Sequence, residues 1–426
     1  MPDASSAKDT TLFYDLQITI EPTAHRLDCI VTIHHPPESH FFLNKDLAVQ
    51  QVTVDGQPVE VQENASQSLV SPGDRCVGWA GSPGQKLRIA YSGVFQEGSL
   101  RKMLEVVSSI RADLVELAIY ATWYPRFTNS GGVAFRLVID LPAAYQVVTN
   151  GQLEDTEATW NEAGGARSRT RWASVKPGFD IVIVAAPHLQ RRTVSQADAQ
   201  VEVVFDRLPE EYVQLMGERL LSAMQRYAAW YGSLQYPVTA RLIYAPRDAW
   251  GYARMPAIIV SEESALANLD DPIGRLNDLH YAAHELAHFW WGVANMNTPD
   301  DWINEGLAEY SAYRIVEEVF GSELAGQRVA QYRQHAIASK TDTPIAETTA
   351  DSSDREVNRY DKVTLLMLGA RDRYSTAALD RFLHALHTRF AQSHAATTPT
   401  FLDEVEAQIG LEARQFFAQR LCVKWS

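Results

Sequence analysis

The sequence predicts an α+β protein, with an antiparallel β-rich first half and a mostly helical second half. Three observations carry this. From residue 12 to residue 186, apolar and polar residues alternate in short runs rich in β-branched side chains. At residue 209 the period lengthens from that of a strand to that of a helix. From residue 273 to the end the pattern stays almost wholly helical.

Taken in order, LFYDLQITIEP (12–22), RLDCIVTIHH (26–35), QQVTVDGQPVEVQ (50–62), QKLRIAYSG (85–93) and FRLVIDLP (135–142) read as strands. RTRWASVK (169–176) and FDIVIVAA (179–186) continue the series, and Asp55-Gly56 and Asn150-Gly151 are turn dipeptides. The even spacing implies an antiparallel β domain over residues 1–205. PEEYVQLMGERLLSAMQRYAAWYG (209–232) then opens with a proline suited to the first helical position and stops at a glycine. TARLIYAP (239–246) and AIIVS (257–261) read as strands beside it. Late helices include 361–374, 378–392 and 411–421, so residues 206–426 form a mostly helical second domain.

Composition excludes several functions. The net charge of −15 offers no basic stripe for phosphates, which argues against a nucleic-acid partner and against an anionic membrane surface. No run has the roughly 18 apolar residues that a spanning helix needs. The opening MPDASSAKDTTLFYDL lacks the apolar core and basic start of a leader. Cys29, Cys76 and Cys422 are odd in number and far apart, which predicts reduced thiols and a cytoplasmic protein.

The chemistry concentrates at HELAHFWWG (284–292). It lies in a helical window, 279–292, closed by Gly292. Residues four apart share a helix face, so His284 and His288 present two imidazoles to one ion. Glu285 is displaced around the helix, within reach of a water at that ion. Catalytic zinc takes three nitrogen or carboxylate ligands and keeps one position open. TPDDWINEGLAEYSAYRIVEEVFG (298–321) reads as a second helix, with Thr298 as N-cap, Pro299 at its first position and Gly321 after its end. The short link lets the two helices lie antiparallel with Glu305 facing the histidines as third ligand. Glu309, one turn on, is placed to hydrogen-bond a ligating imidazole and fix its tautomer. His280 extends the histidine face and is expected to pack or hydrogen-bond there rather than ligate. His34 and His35 are strand neighbours on opposite faces and make a poor chelate.

HELAHFW followed by WINEGLAEY resembles the aminopeptidase N family of gluzincin zinc peptidases, whose signature is HExxHxW and then NEG. NRYDKVTLLML (358–368) is similar to the family's Y-[ED]-K segment, which implies that Tyr360 polarises the scissile carbonyl. YDLQITIEP, YSGVF, WYPRF and FRLVIDLPAAYQVVTNGQL resemble its β saddle domain. The resemblance covers nearly the whole chain. It implies a saddle domain over 1–205, a thermolysin-like, mostly helical catalytic domain over 206–426, and one Zn²⁺ per chain.

Three departures follow. Residues 289–304 make a shorter link between His288 and the ligand glutamate than the family's; the family's own spacing lands on Leu307, which cannot bind a metal, whereas the NEG context points to Glu305. In WGYARMPAIIVSEE (250–263), Arg254 stands where the family's G-A-M-E-N loop has the glutamate that grips the substrate amine. Counting back from Tyr124-Pro125, Glu116 falls where the saddle domain contributes a Gln or Glu to that amine site. The chain also has no counterpart of the family's later domains, so the cleft is expected to be more open unless a second subunit covers it.

The resemblance implies a zinc peptidase acting through metal-activated water, with Glu285 as general base, and most directly an aminopeptidase on short peptides. Arg254 and the missing domains motivate an endopeptidase, or a peptidase taking blocked or modified N-termini. A catalytically silent binding protein of this fold is the remaining alternative, opposed by the joint presence of His284, His288, Glu305, Glu285 and Tyr360.

Overall fold

The computed structural model describes residues 11–64, 74–95, 108–128, 131–160, 165–197, 199–236, 238–247, 251–339 and 343–423. The opening segment, for which no leader is expected, and Trp250 lie outside these. The chain divides into two compact units. One comprises Met1–Arg191, Val204–Arg207 and Ile243–Glu263; the other comprises Arg192–Val203, Leu208–Leu242 and Ser264–Ser426.

The first unit is built on the alternation read from the sequence. In strand Leu12–Glu21 the side chains of Leu12, Tyr14, Leu16, Ile18 and Ile20 are buried while those between face outward. Leu27, Cys29, Val31 and Ile33 do the same in the antiparallel neighbour Arg26–His34. Such one-sided burial is what a sheet with one solvated face requires. These residues join Leu137, Trp123 and Trp172 in one core, each aliphatic side chain contributing about 1.5–3 kcal/mol. The eight-stranded sheet runs in the order Gln152–Trp160, Ala166–Ala173, Val133–Pro142, Leu12–Glu21, Arg26–His34, Leu87–Val94, Ala48–Val54, Gln57–Pro58. One pairing in it is parallel, Leu12–Glu21 with Val133–Pro142. The long stretch of chain between them makes that possible, since parallel neighbours need a long crossover.

The two turn dipeptides behave differently. Asp55 and Gly56 have φ of 48° and 83°, the left-handed pair that joins Ala48–Val54 to Gln57–Pro58 as a tight hairpin. Asn150-Gly151 is a corner between sheets instead. Gln146–Thr149 belongs to a four-stranded sheet with Ile183–Ala186, Val115–Leu117 and Ser109–Ile110, whereas Gln152–Trp160 returns to the large one. Asn150 holds the corner by donating from Nδ2 to the Asp180 carbonyl at 2.9 Å and accepting from Val182 N–H at 2.9 Å. The hairpin Tyr252–Arg254 with Ala257–Ser261 also lies in this unit.

The second unit is helical. Its helices are α1 (Glu210–Tyr231), α3 (Pro272–Ala287), α4 (Trp302–Ala338), α5 (Val363–Tyr374), α6 (Thr376–Phe390), α7 (Thr398–Gln408) and α8 (Leu411–Leu421), while a short α2 (Glu262–Ala267) precedes α3. Pro209 is the N-cap of α1, and Gly232, with φ of 94°, ends it. Asp271 caps α3, its carboxylate accepting from Ile273 and Gly274 N–H. The Tyr227 hydroxyl on α1 donates to the Ala283 carbonyl at 3.0 Å, which fixes α1 against the helix of the histidines. α4 breaks at Gly321 (φ 83°, ψ 164°), the position read from the sequence as a helix end, and resumes as a second helical segment. No helix among the described residues is long and apolar enough to cross a membrane.

Candidate metal centre

Helix α3 ends sooner than its periodicity suggests. Its last residue is Ala287, and His288 is the C-cap, still near helical angles (φ −63°, ψ −11°). The chain then tightens: Phe289 N–H donates to the Leu286 carbonyl and Trp290 and Trp291 N–H to that of Ala287. The buried indoles draw it out of the helix, Trp290 Nε1 donating to the Gly232 carbonyl at 2.7 Å and Trp291 Nε1 to Ser311 Oγ at 2.9 Å. Because His288 keeps helical angles, it still shares a face with His284. Their ring centroids lie 4.9 Å apart, nearly perpendicular at 84°.

The link to α4 is held from within. Asn304 donates from Nδ2 to the Ala294 carbonyl and accepts at Oδ1 from Ala294 N–H, both at 3.0 Å. Its amide also donates to Asp301 Oδ1 at 2.8 Å. Thr298 forms no side-chain cap; its hydroxyl donates to the Asn295 carbonyl, and a turn of 3₁₀-helix over Pro299–Asp301 leads into α4. Glu305 thus sits in the first turn of α4. Its Oε2 lies 3.5 Å from His284 Nε2 and 3.4 Å from His288 Nε2.

Tyr360 stands in a π-helical turn over Val357–Lys362 that runs into α5, a local widening often found at functional sites. Its hydroxyl donates to Glu305 Oε2 at 2.9 Å. Gly306 lets this turn approach. A Cβ there would stand 2.3 Å from Val363 Cγ1 and 2.7 Å from the Arg359 carbonyl oxygen. Arg359, buried beside Tyr360, donates to Asp301 Oδ2 at 2.6 Å and ties the turn to the start of α4.

Ligand atoms of His284, His288 and Glu305 lie within 4.8 Å of one another. The hydrogen bonds choose which imidazole nitrogens face inward. His284 Nδ1 donates to Glu309 Oε2 at 2.9 Å and His288 Nδ1 to the Trp291 carbonyl at 3.1 Å, so both Nε2 atoms are left for a metal. Burial disfavours a charged His284, but its hydrogen bonds to Glu305 and Glu309 outweigh this and lift it to about 10. Glu305 is held well below the carboxylate range against the same burial penalty by the charges and hydrogen bonds of His288 and His284. Glu285 is 7% exposed, and its charge acts on both His284 and Tyr360. A pair of neutral imidazole nitrogens, a carboxylate and a neighbouring acid suit zinc with an open position.

Residues 258–420 match the profile of the Peptidase family M1 domain. The chain carries an M1 peptidase domain. That match, over the span holding His284, His288 and Glu305, supports a zinc metallopeptidase akin to the aminopeptidase N-like group. Its fold is shared with the M1 zinc metallopeptidase of Deinococcus radiodurans, solved as a point variant bound to a Tyr-Ser-Ala substrate; identity is 18%, the TM-score 0.71, and the match covers 96% of this chain and 94% of that one. A two-domain M1 zinc metallopeptidase variant bound to L-tryptophan gives the same identity, TM-score and coverage. Native yeast LTA4 hydrolase matches at 16% identity and a TM-score of 0.69, over 98% of this chain and 69% of that one.

The remaining M1 candidates lie in the first unit. Glu116 is fully buried in strand Val115–Leu117. It accepts from the Tyr252 hydroxyl at 2.9 Å, and its Oε2 lies 3.2 Å from Arg247 Nε. Arg254 is 7% exposed. It donates from Nε to Asp180 Oδ2 at 2.9 Å, from Nη2 to the Tyr120 hydroxyl at 2.8 Å and from Nη1 to the Ala253 carbonyl at 2.6 Å. Its guanidinium also lies 4.0 Å from the Phe179 ring centroid. The two candidates share one buried cluster, because the Arg254 cation also stands over the Tyr252 ring. Sequence reading missed Asp180, Arg247 and Tyr120, which have no fixed spacing from their partners. Of the weighed histidines, His280 lies 3.3 Å from Glu309. His34 packs on Phe13, and His35, in a turn with φ 55°, meets the Gly84 carbonyl.

Proposed function

We propose that this M1 enzyme is an aminopeptidase acting on short peptides, with His284, His288 and Glu305 holding one zinc ion in a catalytic domain over residues 206–426. The observation that carries the ligand assignment is the convergence of two imidazole Nε2 atoms on Glu305 Oε2 while both Nδ1 atoms are committed elsewhere. Bound there, zinc supplies Lewis acidity, polarising a peptide carbonyl and acidifying water. Glu285 takes the proton from the attacking water and delivers it to the departing amine nitrogen. The Tyr360 hydroxyl donates to the carbonyl oxygen as that oxygen gains charge. Glu309 keeps the His284 tautomer and ring orientation through the 2.9 Å bond to Nδ1.

The relatives' ligands support an exopeptidase: one M1 structure is bound to Tyr-Ser-Ala, another to L-tryptophan. Glu116 and Arg254 are the substrate-binding candidates. A second reading follows from their pairing. Glu116 is already held by Tyr252 and Arg247, and Arg254 by Asp180, so a free amine must compete for a carboxylate. An enzyme taking blocked N-termini has no such requirement.

Free-amine aminoacyl reporters, run beside their N-acetylated twins with zinc measured on the same sample, separate the readings. Cleavage of the free-amine set alone establishes the aminopeptidase. Cleavage of the acetylated set overturns it in favour of the second reading.

A further inference from the structure

Behind the metal centre, Glu309 is held by polar groups that the mechanism above does not use, the buried Tyr332 and His280 and the half-buried Arg328. Glu309 spends one carboxylate oxygen, Oε2, on His284. The other, Oε1, accepts from the Tyr332 hydroxyl at 2.6 Å and lies 3.3 Å from His280 Nε2 and 3.7 Å from Arg328 Nη2. The array is closed on itself. Arg328 Nε donates to the Tyr332 hydroxyl at 2.9 Å, and Arg328 Nη1 to Asn277 Oδ1 on α3 at 2.9 Å. The Tyr332 hydroxyl also lies 3.3 Å from His280 Nε2.

Tyr332 reaches this place only because α4 breaks. Arg328 and Tyr332 are one helical turn apart on the segment that follows Gly321, and the reversal there lets that segment lie against the carboxylate of Glu309 from the segment before it. The same segment is fastened to the turn carrying Tyr360, since His335 Nδ1 lies 3.0 Å from Asp361 Oδ2.

We propose that Tyr332 is a positioning residue of the zinc centre, acting through Glu309. Without the Tyr332 hydroxyl, Glu309 Oε1 would keep only the longer contacts to His280 Nε2 at 3.3 Å and Arg328 Nη2 at 3.7 Å, and a buried carboxylate left so under-satisfied would rotate. The Tyr332 hydroxyl occupies that oxygen at short range, which leaves Oε2 aimed at His284 Nδ1 and His284 Nε2 aimed at the metal. Arg328 and His280 hold the hydroxyl in turn. The inference rests on His284, His288 and Glu305 being the zinc ligands.

The test is zinc affinity, measured by competition with a chromogenic chelator on the full chain, with thermal midpoints of the metal-free proteins recorded alongside. Tyr332→Phe removes only the hydroxyl and is expected to weaken zinc binding about tenfold, the size seen when groups supporting a ligand are lost, with little change in the metal-free midpoint. Combining it with Glu309→Gln should weaken binding no further than Glu309→Gln alone, because Tyr332 acts through that carboxylate. Arg328→Gln, which loosens the hydroxyl and also removes the charge 3.7 Å from Glu309 Oε1, should give a loss in the same direction and serves if Tyr332→Phe folds poorly. Wild-type affinity in both Tyr332→Phe and Arg328→Gln, or losses that multiply in the double variant, would overturn the proposal. Zinc binding that survives His284→Ala and His288→Ala in an otherwise unchanged chain would overturn the ligand assignment itself.

Discussion

Tyr360 donates its hydroxyl to Glu305 at 2.9 Å across 55 positions of sequence, and the oxygen it chooses, Oε2, is the one that faces both histidines. The tyrosine therefore competes for the lone pairs that a metal needs, and it is free to meet substrate only when that oxygen is otherwise engaged. Tyr360→Phe is expected to bind zinc at least as tightly as the wild type and to lose turnover on the order of 10²–10³-fold, as for loss of an oxyanion donor. Chelator competition and steady-state kinetics on one preparation check both halves. Unchanged turnover would remove Tyr360 from the mechanism.

Glu285→Gln keeps the shape of the acid and deletes its basicity. Zinc content should stay at one ion per chain while peptide hydrolysis disappears. A variant that loses its zinc instead would make Glu285 a structural support of the site.

Gly306 sets the distance between the Glu305 helix and the Tyr360 turn. Gly306→Ala would place a methyl group 2.7 Å from the backbone oxygen of Arg359, which cannot move without carrying Tyr360 with it. Overpacking of this kind costs about 1–3 kcal/mol. The expected phenotype is a lowered unfolding midpoint in urea together with a fall in turnover. A variant as stable and as active as the wild type would mean that the turn shifts freely.

Much of this centre was legible in the sequence because helix geometry translates spacing directly into shared faces. His284 with His288, and Glu305 with Glu309, are such pairs, and Gly321 marks the break in α4 that the structure has. The alternation in Leu12–Glu21 and Arg26–His34 likewise dictates the sheet face that is buried. What escaped depends on contacts without a period. The early end of α3 is set by where two indoles find acceptors, Gly232 and Ser311, on other parts of the chain. Asn150-Gly151 reads as a hairpin turn until Asp180 and Val182 claim the Asn150 amide. Arg254 reads as a cation in the place of an acid, and which acid it pairs with stays hidden because Asp180 is 74 residues away.

That pairing carries its own prediction. Asp180 is fully buried, accepting from Ile119 and Ile181 N–H and from Arg254. Asp180→Ala leaves the buried Arg254 guanidinium without its counter-charge, and breaking one side of such a pair costs about 3–5 kcal/mol. Urea unfolding should show a loss of that order. A change under about 1 kcal/mol would mean that the aromatic rings around Arg254 suffice.

Zinc loading should release protons. In the metal-free chain the carboxylates lift His284 to about 10, so at about pH 8 its imidazole is charged, while ligation needs it neutral. Apparent zinc affinity is therefore expected to rise with pH and to flatten above about 10, where the competing proton has already left. Titrations in two buffers of different ionisation enthalpy count the protons expelled. No release at about pH 8 would mean that His284 is neutral before zinc arrives.

The Asn304–Ala294 bracket has a consequence for how this protein should be compared with its kin. Because the Asn304 amide grips both backbone groups of Ala294, the stretch between them is a closed bight whose ends stay fixed whatever its length. Residues can be gained or lost at its tip at small entropic cost, and neither Glu305 nor His288 need move. Sequence distance between metal ligands is then a poor ruler for recognising such sites. An alignment that anchors on the asparagine before the glutamate will find the ligand where one that counts residues will pass it by.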